Sequence, residues 1–189
     1  MTFYKQTYLQ QRKRLNLKVF SHLNDEYLMD FYAFSEPKLW NGYLLLAIDG
    51  SKTEVSNSLE NRDSFGNSGN KHSKEGSVRV LISGMYDILN VFYLNIQISN
   101  ISTSENELAK RNLSHLETIG IGSPILAVFD RGYPFLEFID FLEAKGIYYL
   151  FRLSSNDYKK EYRDMKFMDG FVNLVHTSAH LAKIRKKHP

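Results

Sequence analysis

Two continuous apolar runs, each followed by an aspartate, constrain the fold of this chain more than any other feature. The run YLLLAI leads into Asp49, and the run PILAVF leads into Asp130. A short apolar run without polar alternation is typical of a strand that is buried on both faces of a sheet, which occurs mainly in α/β folds. The sequence therefore predicts two buried strands, each of which ends at a carboxylate.

Periodicity and turn residues predict the other elements. Helical spacing of apolar residues predicts a helix from Leu17 to Phe31. The capping box Ser104-x-x-Glu107 predicts the start of a second helix, and Gly146 predicts the end of a third. Further strands are predicted near 77–86, 90–98 and 147–153, the first two as an antiparallel hairpin. The polar residues 50–76 predict a long surface loop. We expect an α/β fold with a mixed sheet of about five strands flanked by helices.

Asp49 and Asp130 share one context, because each follows a buried strand at its carboxyl end. In open α/β sheets, ligands bind beyond these strand ends. If the two strands are neighbours, their axes lie about 4.8 Å apart, so both carboxylates can reach one cation. Oxygen ligands of this kind favour Mg²⁺ or Mn²⁺, which can activate a nucleophile and stabilise a leaving oxygen in phosphoryl displacement. The alternative is that both aspartates are turn or capping residues.

Charge and composition narrow the classes of partner and compartment. The net charge is +3, but residues 1–20 and 159–189 together carry +10 and the segment between them carries −7. Basic ends around an acidic centre suit a polyanion such as DNA, although basic tails are also common as solvated surface. The chain has no cysteine, which excludes disulfides and thiolate metal sites. No apolar run is long enough to span a membrane, so we expect a cytoplasmic protein.

The segments LLAIDGS, ILAVFDRGYP and FLEFIDFLEAKGIYYLFRLSSN resemble the insertion-sequence transposases of the DDE, RNase H-like superfamily. The most similar subgroup has the third motif Tyr-x2-Arg-x3-Glu-x6-Lys. The resemblance implies an RNase H-like sheet in which the first acid is Asp49 and the second is Asp130, the latter followed by Arg131-Gly132-Tyr133 as is common in the family. It also implies Mg²⁺ or Mn²⁺ as cofactor, double-stranded transposon-end DNA as partner, and a bacterial, nucleoid-associated homodimer as the full-length form.

The third motif of that family does not occur in the sequence. Tyr149-x2-Arg152 matches its first half, but Asn156 stands at the glutamate position. We therefore expect a fragment of the catalytic domain. Its predicted parts are a helical lead-in at 1–40, an RNase H-like core at 41–158 that carries the first two acids, and a basic segment at 159–189 that leads into a further C-terminal part. Such a chain is expected to bind Mg²⁺ weakly and to cut DNA poorly.

Several other side chains are candidates for DNA or metal contacts. Basic groups expected to bind DNA phosphates are Lys52, Arg131, Lys183, Arg185, Lys186 and Lys187, with Arg131 alternatively orienting Asp130. His176 and His180 have the spacing of a helical metal pair, but no glutamate follows His176 as a zinc hydrolase would require. If a third acid is present, Glu54 and Glu161 are the first candidates, because each lies near a predicted strand end.

Two other functions remain open at the level of sequence. One is a non-catalytic protein, either a remnant or a DNA-binding or dimerising regulator of full-length copies. The other is a phosphatase that uses an aspartate nucleophile after a strand. A phosphatase of that kind carries a second aspartate two residues after the first, and Ser51 stands at that position.

Overall fold

A mixed β-sheet with helices packed on one face organises the chain in the computed structural model. The structure describes residues 10–12, 14–16, 18–68, 76–155, 157–163, 165 and 169–172. In chain order the elements are α1 (Lys18–Phe34), β1 (Leu44–Glu54), α2 (Leu59–Phe65), β2 (Asn67–Ser68), β3 (Ser77–Asp87), β4 (Phe92–Asn100), α3 (Glu105–Ile119), β5 (Ile125–Phe129), α4 (Leu136–Ala144), β6 (Tyr148–Phe151) and α5 (Lys159–Arg163).

Five strands of the sheet lie in the order β4-β3-β1-β5-β6, and the two-residue β2 pairs with the beginning of β3. β1 is antiparallel to β3 and parallel to β5, while β5 is parallel to β6. β3 and β4 form the antiparallel hairpin that the sequence predicts. The α/β class with a five-stranded mixed sheet flanked by helices is therefore confirmed.

The core lies between the sheet and the helices. On β1 the alternate residues Leu44, Leu46 and Ile48 are buried, and they are joined from β5 by Ala127 and Phe129. Helix α3 places apolar side chains against this face at the spacing of one helical stripe, as its buried residues Leu108, Ala109, Leu113, Leu116 and Ile119 show. We call this side of the sheet the helix-covered face. On β1 and β5 the alternate residues of the other face are only half-buried or exposed.

The predicted end of the first strand and the predicted loop after it are wrong. β1 continues to Glu54, because β3 pairs with it along that whole stretch, ending at Glu54 with Arg79. The predicted loop at 50–76 also contains α2 and β2. Ser58 caps α2 by accepting a hydrogen bond from the Asn61 amide at 3.2 Å. The mistake arose because these elements are polar, so that hydrophobic periodicity gives them no signal.

A buried carboxylate anchors α1 to the sheet. Asp87 at the end of β3 is 0% exposed and accepts a hydrogen bond from the Tyr32 hydroxyl of α1 at 2.5 Å. It also accepts from the Asn90 side chain at 2.7 Å and from the backbone amides of Leu89 and Asn90 at 3.1 Å each. The sequence predicts Asp87 and Asn90 as turn residues, and these bonds show how they form the turn.

Within the described residues, no helix combines the length and apolarity needed to cross a membrane.

Candidate active site

Strand register brings Asp49 and Asp130 to neighbouring positions. The parallel pairing of β1 with β5 ends at Ile48 opposite Phe129, and the two aspartates are the next residue on each chain. Ile48 and Phe129 are both buried on the helix-covered face, so Asp49 leaves β1 on the opposite face. Asp49 thus marks the end of the parallel pairing with β5, although the strand itself continues.

Both carboxylates are exposed and have few partners among the described residues. Asp49 accepts a hydrogen bond from the amide of Gly50, the next residue, at 2.8 Å. Asp130 forms an ion pair with Arg152, whose Nη1 lies 3.5 Å from Oδ1, and both side chains are more than half exposed. Carboxylate oxygens that remain accessible in this way are suitable ligands for a hard cation.

A buried tyrosine lies beside the two aspartates. Tyr133 is 1% exposed, and its ring packs against Phe129 and Phe138. Burial raises the pKa of its hydroxyl above the ordinary value, and the charges of Glu105, Asp49 and Asp130 raise this pKa further. The Gly50 backbone lowers this pKa, but it makes no hydrogen bond of good geometry to the hydroxyl, which has no hydrogen-bond partner among the described residues.

The charges around Tyr133 reveal an acid that the sequence analysis missed, Glu105. It is the first residue of α3, and its side chain lies against Gly50 and Gly132, the glycines that follow the two aspartates. From the sequence, this segment was predicted only to cap α3. That cap is confirmed, because Ser104 Oγ accepts a hydrogen bond from the Glu107 amide at 3.2 Å. A signal was present: Glu105 falls on the stripe of α3 that otherwise faces the sheet with apolar residues.

The divalent cation that the family resemblance implies would need oxygen ligands at this site. Asp49 and Asp130 supply carboxylates at the ends of paired strand segments, and the charges of both act on the buried Tyr133 hydroxyl. Among the described residues, no group of three His, Cys, Asp or Glu side chains is close enough to hold a metal ion by itself. The residues therefore fit a cation that is held by two carboxylates and keeps several water ligands, as Mg²⁺ does.

The other predicted site residues fall into three groups. Lys52 and Arg131 are exposed and lie near the two aspartates in sequence, but the guanidinium that contacts Asp130 belongs to Arg152. Glu54 lies five residues beyond Asp49 on β1, which is about 16 Å along a strand, so it is not placed to share a ligand with Asp49. Residues outside the described part of the chain are His176, His180, Lys183, Arg185, Lys186 and Lys187.

Glu161, the other acid proposed as a third ligand, lies on the short helix α5. Its charge acts on Tyr158, where burial is the largest cause of a pKa raised above the ordinary tyrosine value. The charges that raise the pKa of Tyr133 do not include that of Glu161. Glu105 is therefore a better candidate than Glu54 or Glu161.

A cleft of about 240 Å³ opens beside Glu105. Its polar lining includes Lys52 from β1, Thr103 and Ser104 before α3, and Glu105 and Asn106 in the first turn of that helix. The Asn106 Oδ1 atom is buried and has no hydrogen-bond partner among the described residues. The cleft is large enough to hold several ordered water molecules.

Comparison with known proteins gives one family match. A family model described as transposase DDE domain matches residues 40–188. No curated protein matches the chain. Among solved structures, the chain is similar to a piggyBac transposase synaptic complex with hairpin DNA determined by cryo-EM. The sequence identity is 14% and the TM-score 0.38, over 66% of this chain and 25% of that one. The chain thus spans a quarter of that transposase chain.

Proposed function

The chain belongs to the transposase DDE domain family, and from that premise we propose that Asp49 and Asp130 are its first two catalytic acids. They would hold a divalent cation, Mg²⁺ or Mn²⁺, for cleavage and transfer of DNA strands at transposon ends. When bound, such a cation supplies the charge that activates the attacking oxygen and stabilises the leaving oxygen. The two carboxylates would bind the cation and fix its position. The substrate would be the phosphodiester backbone of DNA.

The strand register is the observation that carries this proposal. Two acids 81 positions apart in the sequence follow paired residues of two neighbouring parallel strands, so the fold brings them together without any special loop. Both side chains are exposed, so a cation from solvent can reach their oxygens. The buried Asp87, whose oxygens accept four hydrogen bonds, shows how an aspartate with a purely structural role is surrounded in this same sheet.

Basic side chains near the acids support DNA as the substrate. Lys52, Arg131 and Arg152 are all exposed, and each lies within three residues of Asp49 or Asp130 or forms an ion pair with one of them. We propose that these groups, together with Lys183, Arg185, Lys186 and Lys187, contact DNA phosphates. Phosphate contacts of this kind position the duplex and carry no sequence information directly.

The third catalytic acid of the family has no match among the motif positions quoted above. Membership of the subgroup with the motif Tyr-x2-Arg-x3-Glu-x6-Lys rests on Tyr149 and Arg152, the only two positions quoted above that match it. We propose that the described acids alone give a site with weak cation affinity and little strand cleavage. Two carboxylates leave a divalent cation short of the ligands that would fix it for in-line displacement.

Metal affinity of the whole 189-residue chain tests the proposed site. Free Mn²⁺ is measured by electron paramagnetic resonance during titration of the unmodified chain, Asp49→Asn and Asp130→Asn. We expect either substitution to raise the Kd for Mn²⁺ by about 10- to 100-fold or more, because loss of even an indirect partner of a metal typically costs that much.

Asp140→Asn is the matched control for these two variants. Asp140 is an exposed aspartate on α4, so its substitution changes the net charge by the same amount without touching the site. If Asp49→Asn and Asp130→Asn bind Mn²⁺ as well as Asp140→Asn does, the two aspartates are not metal ligands and the proposed site is wrong. Binding of DNA by a chain that shows no specific Mn²⁺ binding would favour the non-catalytic regulator instead.

DNA binding is tested separately by fluorescence anisotropy with a labelled duplex of arbitrary sequence. The affinity should fall linearly with the logarithm of salt concentration, because each neutralised phosphate releases condensed counterions, with a slope of about −0.9 for each contact. Lys52→Gln and Arg131→Gln should each reduce the slope by about one contact. A slope near zero between about 50 and 200 mM salt would contradict the proposal that these groups bind phosphates.

A further inference from the structure

Glu105 fills the space left by the two glycines that follow the catalytic acids. A methyl group on Gly50 would lie 2.8 Å from Glu105 Cγ and 3.0 Å from Cδ, closer than side chains approach one another. A methyl group on Gly132 would lie 3.5 Å from Glu105 Oε2. The carboxylate of Glu105 is therefore held between the residue after Asp49 and the second residue after Asp130.

Helix α3 holds Glu105 in this position through its contacts with the sheet. Asn112, seven residues or two helical turns after Glu105, lies on the same face of the helix. The Asn112 side chain donates to the carbonyl oxygen of Ser83 at 3.2 Å and lies 3.0 Å from its hydroxyl. Ser83 is the residue of β3 that pairs with Gly50. The β1–β3 register that places Ser83 opposite Gly50 thus also anchors the helix that carries Glu105.

A half-buried glutamate on the sheet-facing stripe of a helix requires an explanation. The other residues of this stripe are apolar, except for the hydrogen-bonded Asn112. Among the described residues Glu105 has no ion pair, in contrast to Glu107 on the exposed side of α3, which pairs with Arg111 at 3.2 Å. Burying part of a carboxylate without a cationic partner is unfavourable. Lys52 lines the same cleft but forms no ion pair with Glu105 among the described residues, so the site has room for a further positive partner.

The Tyr133 hydroxyl is a second, independent sign of a ligand at this place. It belongs to a side chain that is 1% exposed, and it has no hydrogen-bond partner in the structure. The carboxylates of Glu105, Asp49 and Asp130 all act on it electrostatically. Native proteins rarely leave a buried hydroxyl unpaired, so we expect a polar group of the bound ligand, such as a water of the hydrated cation, to complete it when the site is occupied.

From these contacts we propose that Glu105 is a third carboxylate of the active site and binds the hydrated cation by accepting hydrogen bonds from its water ligands. The inference rests on the function proposed above. An indirect role agrees with the absence, among the described residues, of three acids close enough to coordinate one ion directly. Mg²⁺ usually keeps several of its waters in proteins, and the cleft beside Glu105 has room for them.

Mn²⁺ affinity and stability of the whole chain are measured for Glu105→Gln and, as the matched control, Glu107→Gln. Both residues lie in the first turn of α3, and both substitutions remove one negative charge from the same helix end. We expect Glu105→Gln to raise the Kd for Mn²⁺ by about tenfold or more, as for loss of an indirect metal partner, and Glu107→Gln to leave it within about twofold. Glu105→Asp should restore part of the affinity, because it keeps the charge on a shorter side chain.

The outcomes separate the two proposals. If Asp49→Asn weakens Mn²⁺ binding but Glu105→Gln binds as the unmodified chain does, the role of Glu105 is overturned and the proposed function stands. If none of the three substitutions at Asp49, Asp130 and Glu105 changes the affinity, both proposals are overturned. A purely structural Glu105 would lower the Tm of Glu105→Gln without any change in Kd, so this result also overturns the inference.

Gly50→Ala provides a test that does not change any charge. The added methyl group would meet Glu105 Cγ and must displace this side chain, whereas Gly122→Ala adds a methyl group where nothing lies within 4 Å. We expect weaker Mn²⁺ binding in Gly50→Ala alone, by several fold. Equal Kd values in the two alanine variants, with both folded by circular dichroism, would contradict the proposed position of Glu105.

Discussion

Asp49 with Asp130 and Asp87 with Tyr32 are two acidic regions of one sheet, and their surroundings differ in every respect. Asp87 pairs in register with Leu46, three residues or about 10 Å along β1 from Asp49, and lies on the helix-covered face. It is 0% exposed and accepts four hydrogen bonds. Asp49 and Asp130 are exposed, and among the described residues each has one partner.

This difference teaches how to separate structural from functional carboxylates. A buried charge is tolerated only when its oxygens are saturated by donors, and then it holds the elements that supply those donors. An exposed pair of like charges on adjacent strands does nothing for the fold, because the two carboxylates repel one another. In the function proposed above, a bound cation would offset this repulsion.

The largest effect is expected when the two regions are compared by alanine substitution. Asp87→Ala removes the acceptor of four buried or part-buried donors and should reduce the free energy of unfolding by about 3–5 kcal/mol, as for other broken buried polar networks. Asp49→Ala should change it by no more than about 0.5 kcal/mol. Urea unfolding followed by circular dichroism measures both, and similar values for the two variants would remove the distinction.

A half-buried tyrosine, Tyr32, and a buried one, Tyr133, provide a second comparison. Tyr32→Phe deletes a donor to the charged Asp87 and should cost about 1.5–3 kcal/mol, the range for hydrogen bonds to charged groups. Tyr133→Phe deletes a hydroxyl that has no partner, so it should cost less than about 0.5 kcal/mol or slightly stabilise the fold. A loss for Tyr133→Phe as large as that for Tyr32→Phe would mean that the Tyr133 hydroxyl is satisfied by an ordered water within the fold.

Alkaline pH should weaken the fold through tyrosines whose pKa is raised on folding, among them Tyr32 and Tyr149. Burial raises the pKa of Tyr32, with Asp87 adding to the effect, and burial together with the Glu143 hydrogen bond raises the pKa of Tyr149 to about 12. In the unfolded chain these hydroxyls titrate near 10. The unfolded state therefore loses protons first, so stability is constant below about pH 10 and falls between about pH 10 and 12.

Urea midpoints measured from pH 8.5 to 11.5 test this dependence. The decline should be shallower in Tyr32→Phe, because the substituted chain has one tyrosine fewer whose proton is retained on folding. Stability that rises over this interval would contradict the stated sign. Tyr149→Phe should flatten the decline less than Tyr32→Phe, since Tyr149 is the less perturbed group.

The smallest effect is expected at the ion pair of the exposed region. Arg152→Ala removes an exposed contact of 3.5 Å, which should change stability by less than about 0.5 kcal/mol. The guanidinium competes with a cation for Asp130, and two charges about 4 Å apart in water interact by about 1 kcal/mol. Mn²⁺ affinity should therefore increase by up to about fivefold. A weaker affinity would indicate that Arg152 orients Asp130 for the cation.

Apolar patterning predicted the elements of this protein that are long or fully buried. The two apolar runs became β1 and β5, the alternation at 90–98 became β4, and the capping box at Ser104 opened α3. These signals are local, because burial on one face or two imposes a period that a short stretch of sequence carries by itself. The polar helix α2 and the polar end of β1 have no such period, and the sequence analysis did not find them.

The sequence by itself determined that two aspartates follow buried strands, and the family resemblance predicts that they form an acid pair. Only the tertiary structure decided that their strands pair in parallel and in register, and that Arg152 rather than Arg131 contacts Asp130. It also decided that the charge of Glu105 acts on the buried Tyr133 hydroxyl together with the charges of the two aspartates. These relations join residues that are far apart along the chain. They depend on the order of the strands and on the contact of α3 with Ser83. Packing of the whole core sets both, so no single segment of the sequence predicts them.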